Sequence, residues 1–284
     1  MAALELGDFL RPVSPIGRPS SVDMPQTLHV RSGRASPISE TVATEVPVAI
    51  FYNCINHVVM MATPADLEDF AVGFSLAEGI IERADEIEKI ESADMELGLK
   101  LTLTVPLERS EKLVGRERNL TGRTGCGLCG ITTLEEALRP LPTLPPTRPI
   151  SATAISAAIG ALPEWQTINH ATGAVHAAAF SDWNGKVLAV REDVGRHNAF
   201  DKLVGAVVRA GRKPSDGFAM ITSRCSMEMV QKAATVGFPL LVAISAPTSL
   251  AIKLADGCGL TLVAFARGKD FNIYTHSERI ETTD

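Results

Sequence analysis

Hydrophobic positions change their spacing several times along this chain, and each change marks an element. "VPVAIFYN" from Val46 and "HVVMMA" from His57 are apolar runs around a short polar turn at Asn53 to Asn56, the pattern of a hairpin. "TPADLEDFAVGFSLAEGII" then places Leu67, Phe70, Phe74 and Ala77 at helical spacing. Thr63 is the expected N-cap, Pro64 the expected first helical residue, and acids fill the first turn. "LKLTLTV" alternates strictly and predicts another strand. Upstream, "RPVSPIGRPSSVDMP" and "RSGRASPISE" show no periodicity, so residues 1–45 are expected to be an irregular N-terminal segment without a core of its own.

Residues 46–118 therefore form a small α+β domain. Residues 119–150 hold a Cys-x-x-Cys loop, a helix begun at Thr132 or Thr133, and a connector, "PLPTLPPTRP", whose prolines exclude helix and inner strand. The third region, 151–284, reads as a layered α/β domain. "AVHAAAFSDWNGKVLAVRED" is a hairpin turning at Asn184-Gly185, followed by alternating helices and strands as far as Arg267. "GFAMITS", "PLLVAIS" and "LTLVAFA" are near-continuous apolar runs, as expected of strands covered on both faces by helices. No repeat of solenoid period is present.

Composition narrows the functional classes. No apolar run in the 284 residues is long enough to span a bilayer, and the first twenty residues lack a basic start followed by an apolar block; a cytoplasmic protein is expected. A net charge of -6 argues against a non-specific nucleic-acid binder, whose affinity comes mainly from neutralising phosphates. Any anion site must be local.

Five cysteines in a chain of this length do not make a disulfide framework. Two of them, Cys126 and Cys129, lie in "GRTGCGLCG" just before the predicted helix "TTLEEALRPL". A helix N-terminus and the neighbouring Arg116, Arg118 and Arg123 favour thiolate over thiol, and the glycines leave the sulfur reachable. A structural zinc site would need two further ligands, yet Cys54, Cys225 and Cys258 are solitary; the last two read as small buried apolar residues. A thioredoxin-like pair should follow the first strand of a βαβ unit, and here a polar loop precedes it. A zinc deaminase needs Pro before the first Cys and an upstream His-x-Glu; Gly125 stands before Cys126, and the only His-x-Glu, His276 to Glu278, is downstream.

Three strands end in polar stretches, "TSRCSME", "SAPTSLA" and "FARGKD", at the carboxyl edge where open α/β sheets bind ligands. Ser223, Ser226, Thr248 and Ser249 at helix starts can hold phosphate oxygens, and Arg224, Arg267 and Lys269 can neutralise them. Ser and Thr also cap helices where no ligand binds, so it is the coincidence of three ends that points to a nucleotide-sized anion. Neither GxxxxGK[ST] nor GxGxxG follows a strand, which disfavours ATP hydrolysis and a dinucleotide fingerprint. "REDVGRHNAFDKLVGA" concentrates Glu192, Asp193, Arg196, His197, Asp201 and Lys202 at a strand-to-helix junction. This is either a solvated, self-paired helix start or a functional cluster, in which His197 is the candidate for proton transfer.

Taken in order, "CGLCG", "REDVGRHNAFDKL", "SRCSMEMVQKA", "SAPTSLAIKLA" and "GLTLVAFARGKDFNIYT" resemble the FdhD family of formate dehydrogenase accessory sulfurtransferases, over about residues 45 to 280. The glycine-rich, basic Thr121 to Gly125 departs from the Ser-rich run usual there. The resemblance implies a carrier that accepts persulfide sulfur from a cysteine desulfurase and delivers it to the molybdenum bis(molybdopterin guanine dinucleotide) cofactor of formate dehydrogenase. It implies a persulfide on Cys126, the first of the catalytic pair, and cofactor binding at Phe265, Ala266, Arg267, Gly268, Lys269 and Asp270; Cys129 either resolves a stalled persulfide or helps to position the first thiol, and the sequence does not choose. It also implies a core of cytidine deaminase-like architecture without the zinc chemistry, and no tightly held metal. Because the cofactor has two guanine dinucleotide halves, a symmetric homodimer is expected.

Overall fold

The structure, a computed structural model, describes residues 20–113 and 140–282. It begins with strand where irregular chain was expected. Val22–Asp23 (β1) pairs with Val42–Ala43 (β4), and between them Gln26–Arg31 (β2) and Arg34–Ser39 (β3) form an antiparallel ribbon. Arg31 pairs with Arg34 across Ser32-Gly33, both at positive φ, the two-residue turn that suits the twist of a hairpin. Serines and a proline disguise the alternation of Leu28 and Val30 with His29 and Arg31.

The expected hairpin is Val46–Tyr52 (β5) and Ile55–Ala62 (β6), turning at Asn53-Cys54. With Lys89–Met95 (β7) and Gly98–Thr104 (β8) it makes a four-stranded sheet in the order β6-β5-β8-β7. Helix Leu67–Ala77 (α1) lays Leu67, Phe70 and Phe74 against Val48, Ile50, Leu101 and Leu103 of this sheet. The helix starts later than expected, after Asp66, because Thr63 is engaged elsewhere: its Oγ1 accepts from Val194 N and its N–H donates to Asp193. A short helix, Leu107–Glu111 (α2), follows.

The proline stretch 140–149 carries no regular element, as its composition demands. Between it and the predicted hairpin lie Ile150–Ser151 (β9), Ala152–Trp165 (α3) and Thr167–Thr172 (α4), which the sequence reading passed over; Ser151 Oγ caps α3 by accepting from Ala154 N. The second sheet has six strands in the order β11-β10-β12-β13-β14-β15, namely His176–Asp182 (β10), Val187–Asp193 (β11), Gly217–Ile221 (β12), Leu240–Ala243 (β13), Thr261–Arg267 (β14) and Asp270–Ile273 (β15). A last strand, Ile280–Glu281 (β16), pairs with β9. β12, β13 and β14 are mutually parallel and buried, and β10 runs antiparallel to both its neighbours, so β11 points the same way as the central three.

Arg196–Arg209 (α5), Met227–Val236 (α6) and Ser249–Cys258 (α7) bury Phe200, Leu203, Met229 and Ala255 on one face of this sheet, and α3 buries Ile155, Ile159 and Leu162 on the other. Helices therefore cover both faces, as the apolar strands required. The two sheets meet through α1 and α5. A Cβ on Gly73 would overlap the Asp201 carbonyl and one on Gly205 the Asp69 carbonyl, so glycine at both positions lets the backbones touch. The order of layers is four-stranded sheet, α1, the α5–α7 layer, six-stranded sheet and α3.

Candidate functional site at the strand ends

The four strands that share a direction end on one edge, and main-chain bonds tie their loops together. Cys225 N donates to Ala246 O and Thr248 N to Cys225 O, joining the segment after β12 to that after β13. Phe265 N donates to Ser245 O, which joins the second segment to β14. The register of β14 against β15 slips between Ala264 and Arg267, and Phe265 within that slip has φ 53. A left-handed, non-glycine residue in a bulge is a strained conformation that presents its side chain outward. The Phe265 ring is 43% exposed, whereas Ala264 and Ala266 on either side are fully buried.

This edge gathers most of the residues that the sequence singled out. Ser223 is buried, its hydroxyl donating to Arg224 O. Thr248 caps α7 by accepting from Ala251 N, with Ser249 beginning the helix. Arg224, Arg267, Lys269 and Asp270 are exposed, and no ion pair engages any of the four among the described residues. Gly268, at φ 59, turns the chain from β14 into β15. Ser226 Oγ and Glu228 Oε2, at the start of α6, are buried without a hydrogen-bond partner among the described residues. A carboxylate in that state is costly unless something is bound to it, and no periodicity or motif flags it.

The charged block departs from the solvated reading. Glu192 caps α4, its carboxylate accepting from Ile168 N and Asn169 N at 2.8 Å each. Asp193 and Lys202 are both fully buried, with Lys202 Nζ 2.6 Å from Asp193 Oδ2 and 2.8 Å from Thr63 O. Asp193 also accepts from Gly195 N and Asn198 Nδ2. One turn on, Asp201 receives Lys232 Nζ at 2.8 and 3.0 Å, and Lys232 also reaches Glu78 beyond the end of α1. These groups fasten the two sheets together.

His197 does not fit the expectation of a group that titrates near neutral pH. It is buried at the start of α5, and burial first, then Arg196 and Lys232, push its pKa down to about 3, so the ring is neutral. Its Nε2 has no partner among the described residues. Arg196 beside it is half-buried and engaged. Cys225 and Cys258 are buried as expected, and burial pushes the Cys225 thiol up to about 12, the opposite of an activated sulfur. Cys126 and Cys129 lie outside the described residues. Among the described residues no group of three or more His, Cys, Asp or Glu is placed to hold a metal ion, and no helix is long and apolar enough to cross a membrane.

The profile of the FdhD/NarQ family matches residues 43–281. "Sulfur carrier protein FdhD" of Xanthomonas euvesicatoria pv. vesicatoria is 50% identical over 264 residues, 93% of this chain and 94% of that one. The protein of the same name from Bordetella petrii is 47% identical over 255 residues, covering 89% and 92%. A crystal structure from Desulfotalea psychrophila, named for a formate dehydrogenase accessory role, superposes with a TM-score of 0.71 at 26% identity, over 92% of this chain and 99% of the other.

Proposed function

Because this chain belongs to the FdhD/NarQ family, we propose that it moves sulfur through a persulfide on Cys126, from a cysteine desulfurase to the molybdenum bis(molybdopterin guanine dinucleotide) cofactor that formate dehydrogenase needs. The Cys126 thiolate attacks the outer sulfur of the donor persulfide. It becomes Cys-S-SH and releases the donor's own thiolate. Attack of the Cys129 thiolate on the inner sulfur then frees the outer one as hydrosulfide, leaving a Cys126–Cys129 disulfide that carries away the oxidising equivalents.

The observation that supports a cofactor-sized anion is the tied strand-end edge. There Arg224, Arg267 and Lys269 stand exposed and unpaired among the described residues, beside the starts of α6 and α7 and the projecting ring of Phe265. The cations suit the diphosphates by charge-assisted bonds, and the aromatic ring suits a flat base. On this reading the protein is a cytoplasmic homodimer, one copy for each guanine dinucleotide half, and its layered core is of the cytidine deaminase-like kind without the metal chemistry. Intact-mass analysis after incubation with a desulfurase and cysteine is the test. One added sulfur per chain, removed by reductant and absent from Cys126→Ala, is expected; equal sulfur on Cys126→Ala would overturn the proposal.

A further inference from the structure

Helices α5 and α6 begin at the same edge. They follow β11 and β12, which point the same way, and both pack on one face of the six-stranded sheet, so they lie side by side and run parallel. Their second turns are bonded to each other: Lys232 Nζ of α6 donates to the Asp201 carboxylate of α5 at 2.8 and 3.0 Å. Residues four apart share a helix face, so His197 and Glu228 stand one turn nearer the two N-termini, on the stripes that meet at that pair. Each is only 9% exposed. Yet His197 Nε2 and Glu228 Oε2 have no hydrogen-bond partner among the described residues, and neither has Ser226 Oγ at the N-cap of α6. Lys232, the base one turn on from Glu228, is bonded to Asp201 and Glu78 instead.

Three buried polar atoms left unbonded at one mouth describe their occupant. A carboxylate only accepts, so the occupant must present hydrogen-bond donors to Glu228. The neutral His197 ring donates from Nε2 when its hydrogen sits there, and the free amides of two helix starts also donate and oppose a cation. The occupant's other polar group is therefore an acceptor. A flat, neutral ring with two adjacent donors beside a carbonyl meets all of these demands.

We propose that the mouth between the first turns of α5 and α6 receives the 2-amino-oxopyrimidine edge common to guanine and pterins. Glu228 accepts from the ring N–H and the exocyclic amine, and His197 Nε2 donates to the ring carbonyl. Adenine is refused, because its ring nitrogen at that place is an acceptor and would leave the carboxylate unbonded. The proposal rests on the cofactor-carrier reading, since guanine and pterin both belong to that cofactor, and it names the side chains that select the heterocycle.

Calorimetric titration of wild type and Glu228→Gln with GDP, IDP, ADP and neopterin tests it and separates the two sources. If guanine is the occupant, wild type should bind GDP at least ~tenfold more tightly than ADP or than IDP, which lacks the exocyclic amine, and Glu228→Gln should remove most of that difference. If a pterin is the occupant, neopterin should bind wild type and lose at least ~tenfold in Glu228→Gln, with GDP unchanged. Arg267→Ala, by contrast, should weaken the three nucleotides alike, because phosphate is common to them. Glu228→Gln keeps the shape of the side chain and removes a buried, unpartnered charge, so its denaturation midpoint should not fall. A lower midpoint would mark the carboxylate as structural and overturn the proposal. So would three nucleotides bound alike with no binding of neopterin, or affinities indifferent to Glu228→Gln, as a trapped water would leave them. Persulfide loading of wild type, measured alongside by intact mass, keeps the two readings apart: loading without discrimination sinks the pocket alone, and discrimination without loading sinks the sulfur-carrier reading alone.

Discussion

Two regions of this molecule are rich in charged side chains, and they use them in opposite ways. Around the seam between α1 and α5, Asp193, Lys202, Asp201 and Lys232 are buried and each meets an opposite charge, Asp193 with Lys202 and Asp201 with Lys232, which also reaches Glu78 past the end of α1. At the strand-end edge, Arg224, Arg267 and Lys269 point into solvent and meet none among the described residues. Charge content alone therefore does not mark a site. A buried, fully partnered charge is part of how the chain holds together, and an exposed, unpartnered cation beside a strained backbone is free for a ligand. The comparison is sharpest where one region can be disturbed without the other.

The largest effect should come from Lys202→Met. It leaves the Asp193 carboxylate buried without its cation, a change that costs about 3–5 kcal/mol where one partner of a buried pair is removed. Chemical denaturation should show that loss, and Asp193→Asn added to Lys202→Met should recover part of it. A single variant as stable as wild type would show that the seam does not depend on the pair. Gly205→Ala should follow, since the new methyl overlaps the Asp69 carbonyl and must push α1 and α5 apart; overpacking of this kind costs about 1–3 kcal/mol. An unchanged midpoint for denaturation would mean that the helices can slide at no cost.

His197 gives the seam a pH dependence. Its folded pKa, about 3, lies below the value of 6.5 that it has when exposed, so between those limits the unfolded chain binds more protons. Stability from this residue is complete above pH 6.5 and lost as pH falls toward 3, at up to about 1.4 kcal/mol per pH unit. Burial pushes the Asp201 carboxyl up to about 6, and that group titrates in the opposite sense. The difference between wild type and His197→Asn across pH 3.5 to 7.5 therefore isolates the histidine. Parallel curves would show that His197 titrates as it would in water.

Much of the second half was legible in the sequence because its strands are buried on both faces and read as uninterrupted apolar runs, punctuated by Asn184-Gly185 and by polar strand ends. The strand-end residues were legible for the same reason: position at a carboxyl edge follows from element order. What escaped depends on distant partners. Thr63 looks like a helix cap, yet it binds residues 130 and 131 positions away, and Lys202 looks solvated until its bond to a carbonyl 139 positions away is known. The ribbon escaped because its alternation buries nothing within one chain, so prolines and serines dominate its composition. The strain at Phe265 had no signal in the sequence, since phenylalanine is unexceptional in a strand.

The smallest effect on stability is expected at Arg267. Its guanidinium is exposed and has no ion pair among the described residues, so Arg267→Ala should leave the denaturation midpoint nearly unchanged, within about 0.5 kcal/mol. Its effect on ligand should be larger, because it ends a buried strand whose position is fixed by main-chain bonds to its neighbours, which lets it make charge-assisted contacts to phosphate oxygens. Such a contact contributes on the order of 1.5–3 kcal/mol, or roughly ten- to a hundredfold in affinity. Calorimetric titration with GDP should show that loss for Arg267→Ala, and a smaller one for Arg118→Ala in the stretch preceding the thiols, while Cys126 still loads sulfur in both. An unchanged dissociation constant for Arg267→Ala would remove this cation from the ligand site and leave the strand-end edge as a second structural use of charge.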